Sequence, residues 1–195
     1  MAELIRTFIA IELNDAIRHA LEDVQAQFKH EQAAHSVRWV APDSIHITLK
    51  FLGDVDADKL SALQNALVDA CKDIAPFTLV LCGVGAFPNT RRTNVVWVGA
   101  EGQGEIASQF ASQIEEACVA LGFAREDRPF APHLTFGRIK RDASSSDRRF
   151  IGEMIEHAQV EKLGELRVER VSVMQSELRP AGSVYTRLAS IELKN

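Results

Sequence analysis

The chain has 195 residues, 46% of them apolar and 25% charged, the make-up of an ordinary folded protein long enough to bury a sizeable core. A formal net charge of −5 excludes a broad, sequence-independent nucleic-acid surface and leaves room only for local contact with nucleic acid. Three scattered cysteines (Cys71, Cys82, Cys118) without a C-x-x-C exclude a disulfide framework and a thiolate metal site. The N-terminus lacks the basic-then-apolar layout of a signal peptide, and no apolar run approaches the about 18 residues of a membrane span. A reduced, cytoplasmic setting is therefore the default expectation, and a monomer is expected alongside it.

Leu4 to Leu13 is apolar and β-branched, the composition of a buried strand. Asn14 is positioned to cap a helix whose Ile17, Leu21, Val24 and Phe28 recur at helical spacing, ending near Ala33. Trp39-Val40 is a short extended piece before the turn Ala41-Pro42-Asp43. Ser44 to Gly53 alternates: Ile45, Ile47, Leu49 and Phe51 on one side, His46, Thr48 and Lys50 on the other. A second helix opens at Asp56 or Asp58, carries Leu60, Leu63, Leu67, Ala70 and Cys71 on one stripe, and is stopped by Pro76. Phe77 to Gly83 reads as a strand, Gly85 to Arg92 as a loop with a basic tip, and Val95 to Val98 as another strand. Gly104 to Leu121 is a third helix, with Gly122 as its C-terminal glycine. Phe130 to Arg138 then repeats the earlier alternation, with His133 and Thr135 on one face and Leu134 and Phe136 on the other. A polar turn at Asp142 to Ser146 precedes a fourth helix, capped by Ser146 or Asp147 and running to His157. Two strand-like runs, Leu166 to Glu177 and Ser183 to Leu193, are joined by Arg179-Pro180-Ala181-Gly182. Strands and helices interleaved with hairpin-like pairs favour an α+β fold over a doubly wound parallel sheet.

The two H-x-T strands carry the chemistry. A lone histidine on a strand is commonly a tolerated polar residue, and His19, His30, His35 and His157 read that way. His46 and His133 differ because each lies in apolar sequence, where an unpaired polar group is costly. Each also has a hydroxyl two residues on, and the pattern occurs twice. With an ordinary pKa of about 6.5, one histidine can be neutral and the other charged near neutral pH, as paired acid–base catalysis requires. Thr48, Thr135 and Arg138 supply donors for phosphate oxygens that gain negative charge in a transition state. Strict alternation places Arg138 opposite His133, and a twist or bulge at Gly137 would bring it round. Zinc would need a third convergent ligand, and neither an H-E-x-x-H nor an Asp cluster accompanies either strand. There is no G-x-S-x-G elbow, Walker loop or dinucleotide glycine fingerprint. Arg91-Arg92 and the cluster Lys140, Arg141, Arg148, Arg149 are candidate RNA-backbone contacts, against the plainer reading of a solvated face. Trp39, Phe51, Phe87 and Trp97 are candidate base-stacking rings, with a core role as the alternative for Phe51 and Trp97.

The doubled tetrads His46-Ile47-Thr48-Leu49 and His133-Leu134-Thr135-Phe136 resemble the signature of the 2H phosphoesterase superfamily. Arg6 to Leu13, Arg38-Trp39-Val40, Ile45 to Gly53, Phe87-Pro88, Val95 to Gly99, Ala131 to Arg138, Ser176-Glu177-Leu178 and Tyr185 resemble its RNA 2′,3′-cyclic phosphodiesterase branch, historically called 2′-5′ RNA ligases. The resemblance implies one bilobal domain over residues 1–195, with two antiparallel sheets related by a pseudo-twofold around a central cleft and helices outside. It implies hydrolysis of a 2′,3′-cyclic phosphate on RNA ends (or on nucleotides) to a 2′-phosphomonoester, without metal or cofactor. It makes His46 the proton donor, His133 the proton acceptor, and Thr48, Thr135 and Arg138 the phosphate ligands. A reverse 2′-5′ joining of tRNA halves is associated with the branch. The rivals are a 2H enzyme for small cyclic nucleotides or 2′-5′ oligonucleotides, a binding module for nucleotides or RNA ends without turnover, and a structural domain whose His and Thr satisfy each other.

Overall fold

Leu4–Glu12 forms the first strand, β1, and the apolar run that predicts it is buried from Thr7 to Ile11. The structure, a computed structural model, describes residues 3–180 and 182–194. Asn14 caps helix α1 (Asp15–Lys29) by accepting from the Ile17 N–H at 2.9 Å. A short strand β2 (Val37–Trp39) leads to β3 (His46–Asp56), helix α2 (Leu60–Cys71) and β4 (Phe77–Phe87). The second half runs through β5 (Val95–Gly102), helix α3 (Gly104–Ala120), β6 (His133–Ile139) and helix α4 (Ser145–His157). It closes with β7 (Lys162–Val168), β8 (Arg170–Arg179) and β9 (Gly182–Glu192).

All strand pairs are antiparallel, and the order across the sheet is β7-β4-β5-β6-β3-β1-β8-β9, with β2 also paired to β6. The order is symmetric about the β6–β3 seam, where Ile47 pairs with Leu134. Two lobes of one continuous nine-stranded sheet, the β6 lobe carrying β2 as a fifth strand, therefore meet at the two tetrad strands in an α+β fold with a pseudo-twofold. Each lobe takes strands from both halves of the sequence. β4 joins the lobe of β6, and β8 and β9 join the lobe of β3.

The helices cover one face of the sheet. There Ile9, Ile11, Ile47, Leu81, Val98, Leu134, Phe136 and Val173 join Ile17, Leu21, Leu63, Leu67, Phe110, Ile114 and Ile151 in one buried core. The other face carries a small separate cluster, Phe8, Ala10 and Met174, with Tyr185 packed on it.

Helix α2 opens at Leu60 rather than at Asp56 or Asp58, β5 runs on to Gly102 and β3 to Asp56, and four further boundaries differ from the sequence reading. The run Leu166 to Glu177 is two strands broken at Glu169, because the chain crosses there from the edge of one lobe to the other: β7 pairs with β4, and β8 with β1. Gly85-Ala86-Phe87 belongs to β4, held by pairing to Val95–Trp97. Helix α4 is capped by Ser144, whose hydroxyl accepts from the Asp147 N–H at 3.0 Å, rather than by Ser146 or Asp147. Helix α1 stops at Lys29, short of Ala33. In the turn between the last two strands, Ala181 lies outside the described residues.

Candidate active site

Antiparallel pairing about Ile47 and Leu134 sets His46 beside Thr135 and Thr48 beside His133. Ile47 and Leu134 are fully buried in the core, so the four polar side chains share the face away from the helices. Each ring is held in the same way. His46 Nδ1 lies 3.0 Å from the Ser44 carbonyl, and His133 Nδ1 lies 2.8 Å from the Ala131 carbonyl. A carbonyl only accepts, so in both histidines Nδ1 carries the proton and Nε2 is left for chemistry.

A bulge follows each threonine. In β3, Ile9 pairs with Lys50 and Ala10 with Thr48, so Leu49 is the extra residue. In β6, Val96 pairs with Gly137 and Trp97 with Thr135, so Phe136 is extra. One extra residue reverses the alternation beyond it. Arg138 therefore returns to the face of His133 and Thr135, opposite Val95. The same reversal removes Lys50 from the histidine face. It is 5% exposed, and its Nζ reaches Glu115 Oε2 at 2.7 Å and the Ala124 carbonyl at 2.8 Å. Phe51, expected on the core side, instead comes to the open face, 65% exposed, with its ring 5.8 Å from Phe8.

The surroundings of the two histidines are not alike. His46 stacks on Phe8 (centroids 4.7 Å, 29°) and meets the Tyr185 edge at 5.1 Å. Burial against this apolar floor pulls its pKa down to about 4; the Ser44 carbonyl and the Glu12 carboxylate push it up, and Arg138 adds to the lowering. Glu12 is the register partner of His46. Burial raises the Glu12 carboxyl, but hydrogen bonds from Arg187 (3.0 Å) and Ser172 (2.5 Å) outweigh it and hold the group below its ordinary value. His133 faces Gly99 across the strand instead, with the Phe87 ring at 4.9 Å and Trp97 at 6.5 Å.

Other sequence candidates fall elsewhere. Trp39 packs on Phe28 and Phe136 in the core. Arg148 is spent on the Thr93 carbonyl, Asn94 and the Lys140 carbonyl, and Arg149 lies 3.5 Å from Glu153. Among the described residues no three His, Cys, Asp or Glu side chains converge as a metal site, and no helix is long and apolar enough to cross a membrane. Sequence reasoning missed Glu12 and Gln25. Gln25, 1% exposed, donates to the carbonyl of Phe136 (3.0 Å) and of Val40 (2.7 Å), and so braces the bulge that turns Arg138. Its one signal was a polar residue within the apolar stripe of α1.

The model of the LigT-like phosphoesterases matches the chain twice in succession, over residues 11–97 and 98–185, and each match holds one histidine tetrad at the same depth. The chain belongs to the LigT-like phosphoesterase family. The two successive matches also account for the pseudo-twofold as an internal duplication. The chain is 36% identical over 189 residues to the RNA 2′,3′-cyclic phosphodiesterase of Methanothermobacter thermautotrophicus, covering 97% of this chain and 99% of that one. The Archaeoglobus fulgidus protein of the same name is 35% identical over 188 residues, with 96% and 100% covered. Among solved structures, E. coli LigT complexed with 3′-AMP superposes with a TM-score of 0.76 at 29% identity, covering 99% of this chain and 100% of that one.

Proposed function

We propose that this LigT-like phosphoesterase opens 2′,3′-cyclic phosphates at RNA ends to 2′-phosphomonoesters, in the cytoplasm, with residues 1–195 working as one bilobal unit. The observation that carries the reading is the meeting of two H-x-T strands at one seam, with both Nδ1 atoms held by carbonyls, both Nε2 atoms without a hydrogen-bond partner among the described residues, and both threonines on the same face. Relatives named for this activity support the choice of substrate.

The cyclic phosphate sits between the strands. Thr48 and Thr135 donate to its non-bridging oxygens and Arg138 offers its fork of N–H groups to the charge that grows on them. His133 Nε2 takes a proton from water as the water oxygen bonds to phosphorus. The P–O3′ bond breaks, and His46 Nε2 delivers its proton to the departing 3′ oxygen. Each transfer is worth about 10²–10⁴-fold. The difference between the lobes supports these roles: His46 alone has a carboxylate opposite it, and an imidazolium is the form a carboxylate favours. A bound phosphodiester anion adds a second negative charge and neutralises Arg138, so His46 gains its proton as substrate binds. Phe51 offers an exposed aromatic face for the terminal base. In the 2′-5′ joining of tRNA halves a 5′-hydroxyl stands in the place of water: His133 takes its proton as it bonds to phosphorus, the P–O3′ bond breaks, His46 protonates the 3′ oxygen, and a 2′-5′ phosphodiester results.

The test is turnover of a short RNA ending in a 2′,3′-cyclic phosphate in excess chelator, with the product read by ³¹P NMR. The expected product is the 2′-monophosphate alone. An inert enzyme that still binds the RNA end would make the protein a binding module, and activity lost to the chelator would make it a metalloenzyme.

A further inference from the structure

Arg38 and Arg138 are register partners across β2 and β6 and so point to the same side of the sheet. That side is the histidine side, since the bulge at Phe136 returns Arg138 to it. Val37 and Trp39, the neighbours of Arg38 on β2, turn the other way, into the core. Both arginines are exposed, and among the described residues neither has an acidic partner within ion-pair distance. Two like charges directly opposite each other destabilise a sheet, and this pair stands uncompensated in a chain of net charge −5.

The internal repeat sharpens the point. The offset that carries His46 onto His133 carries Arg38 onto Arg125. Arg125 is neutralised: its two terminal nitrogens clasp Glu116 at 2.6 and 2.9 Å. The same offset carries Phe51 onto Arg138. The positions related by the repeat therefore carry a bare arginine pair in one half, and an aromatic ring and an arginine already held by Glu116 of α3 in the other.

We infer that Arg38, beside Arg138, forms a second phosphate subsite that takes the phosphodiester immediately upstream of the cyclic phosphate, making the enzyme selective for oligonucleotide ends over mononucleotides. The inference rests on the function proposed above. Arg138 serves the scissile phosphate, and Arg38 lies about 5 Å away across the strand pair, one step along a ribose-phosphate chain leaving the site. A guanidinium is suited to that task because it binds phosphate through two parallel N–H groups.

The experiment compares kcat/KM for a ribonucleoside 2′,3′-cyclic monophosphate and for a tetranucleotide ending in the same group, in wild type, Arg38→Gln and Arg38→Lys. The oligomer-to-monomer ratio should fall about tenfold in R38Q and recover partly in R38K, as the loss of one charge-assisted phosphate contact requires. The salt slope of oligomer binding should drop by about one in R38Q. Binding of the tetranucleotide carrying a 2′-phosphate, followed by fluorescence anisotropy, reads the subsite even if the cyclic phosphate is not turned over. A ratio and a salt slope unchanged in R38Q would overturn the subsite. So would an equal loss on both substrates, which would place Arg38 at the scissile phosphate. Failure of the wild type to hydrolyse either substrate would overturn the proposed reaction instead.

Discussion

The two lobes present the same tetrad and the same bulge, but they fill the positions around them differently. Across from the histidine, one lobe has Glu12 and the other Gly99. At the residue just after the bulge, one has Lys50, threaded to Glu115, and the other Gly137, where an added Cβ would lie 2.9 Å from Val37 Cγ1. At the next residue, back on the open face, one has Phe51 and the other Arg138. In the proposed reaction the duplication supplies two equivalent proton carriers, and acid–base chemistry needs them to be unequal. The inequality is written in the neighbours and not in the tetrads.

Breaking the comparison on the arginine side should have the largest effect. Arg138→Ala removes a donor aimed at developing charge and should lower kcat about 10²–10³-fold; steady-state kinetics on the cyclic-phosphate RNA would show it. In the other lobe, Lys50→Ala should leave turnover nearly intact but destabilise the fold by about 3 kcal/mol, because Glu115 loses its buried partner. Urea titration measures that loss, and a stability within experimental error of wild type would mean the pair is not needed.

The third effect concerns acid. His46 resists protonation in the folded state down to about pH 4, whereas the unfolded chain takes up that proton below about 6.5. The unfolded state therefore binds more protons between those values. Stability is whole above pH 6.5 and is lost as pH falls toward 4, by about 2–3 kcal/mol. His46→Gln should remove that part of the acid sensitivity, seen as a smaller difference between urea midpoints at pH 7 and 4.5 than in wild type. The smallest effect should come from Phe51→Ala, which removes a stacking surface of about 1–2 kcal/mol. It should raise KM for the nucleotide about tenfold with little change in kcat, and an unchanged KM would leave the exposed ring without a role.

Much of this was legible in the chain. The period of two in Ser44 to Gly53 and in Phe130 to Arg138, and the helical stripes of Ile17-Leu21-Val24-Phe28 and Leu60-Leu63-Leu67, identified the elements because burial on one face dictates the pattern. The tetrad histidines were legible because a titratable residue is conspicuous inside an apolar strand. The bulges were not, since an extra residue in a ladder leaves no mark on alternation until its partner strand is known. The sides of Lys50, Phe51 and Arg138 depended on them. Glu169 gave no break in an otherwise strand-like run, so the crossing from β7 to β8 was invisible. Glu12 was hidden because its meaning comes from strand pairing with His46, a contact between distant parts of the chain.

The central claim is that the two halves supply one acid–base unit. Its most direct test is the single-turnover rate of His46→Ala, His133→Ala and the double variant on an RNA 2′,3′-cyclic phosphate. Each single change should cost about 10²–10⁴-fold, and the double should be little slower than the worse single, because neither proton transfer is useful without the other. If either single variant kept close to the wild-type rate, the two lobes would not share a reaction, and the symmetry of the site would be only a relic of the duplication.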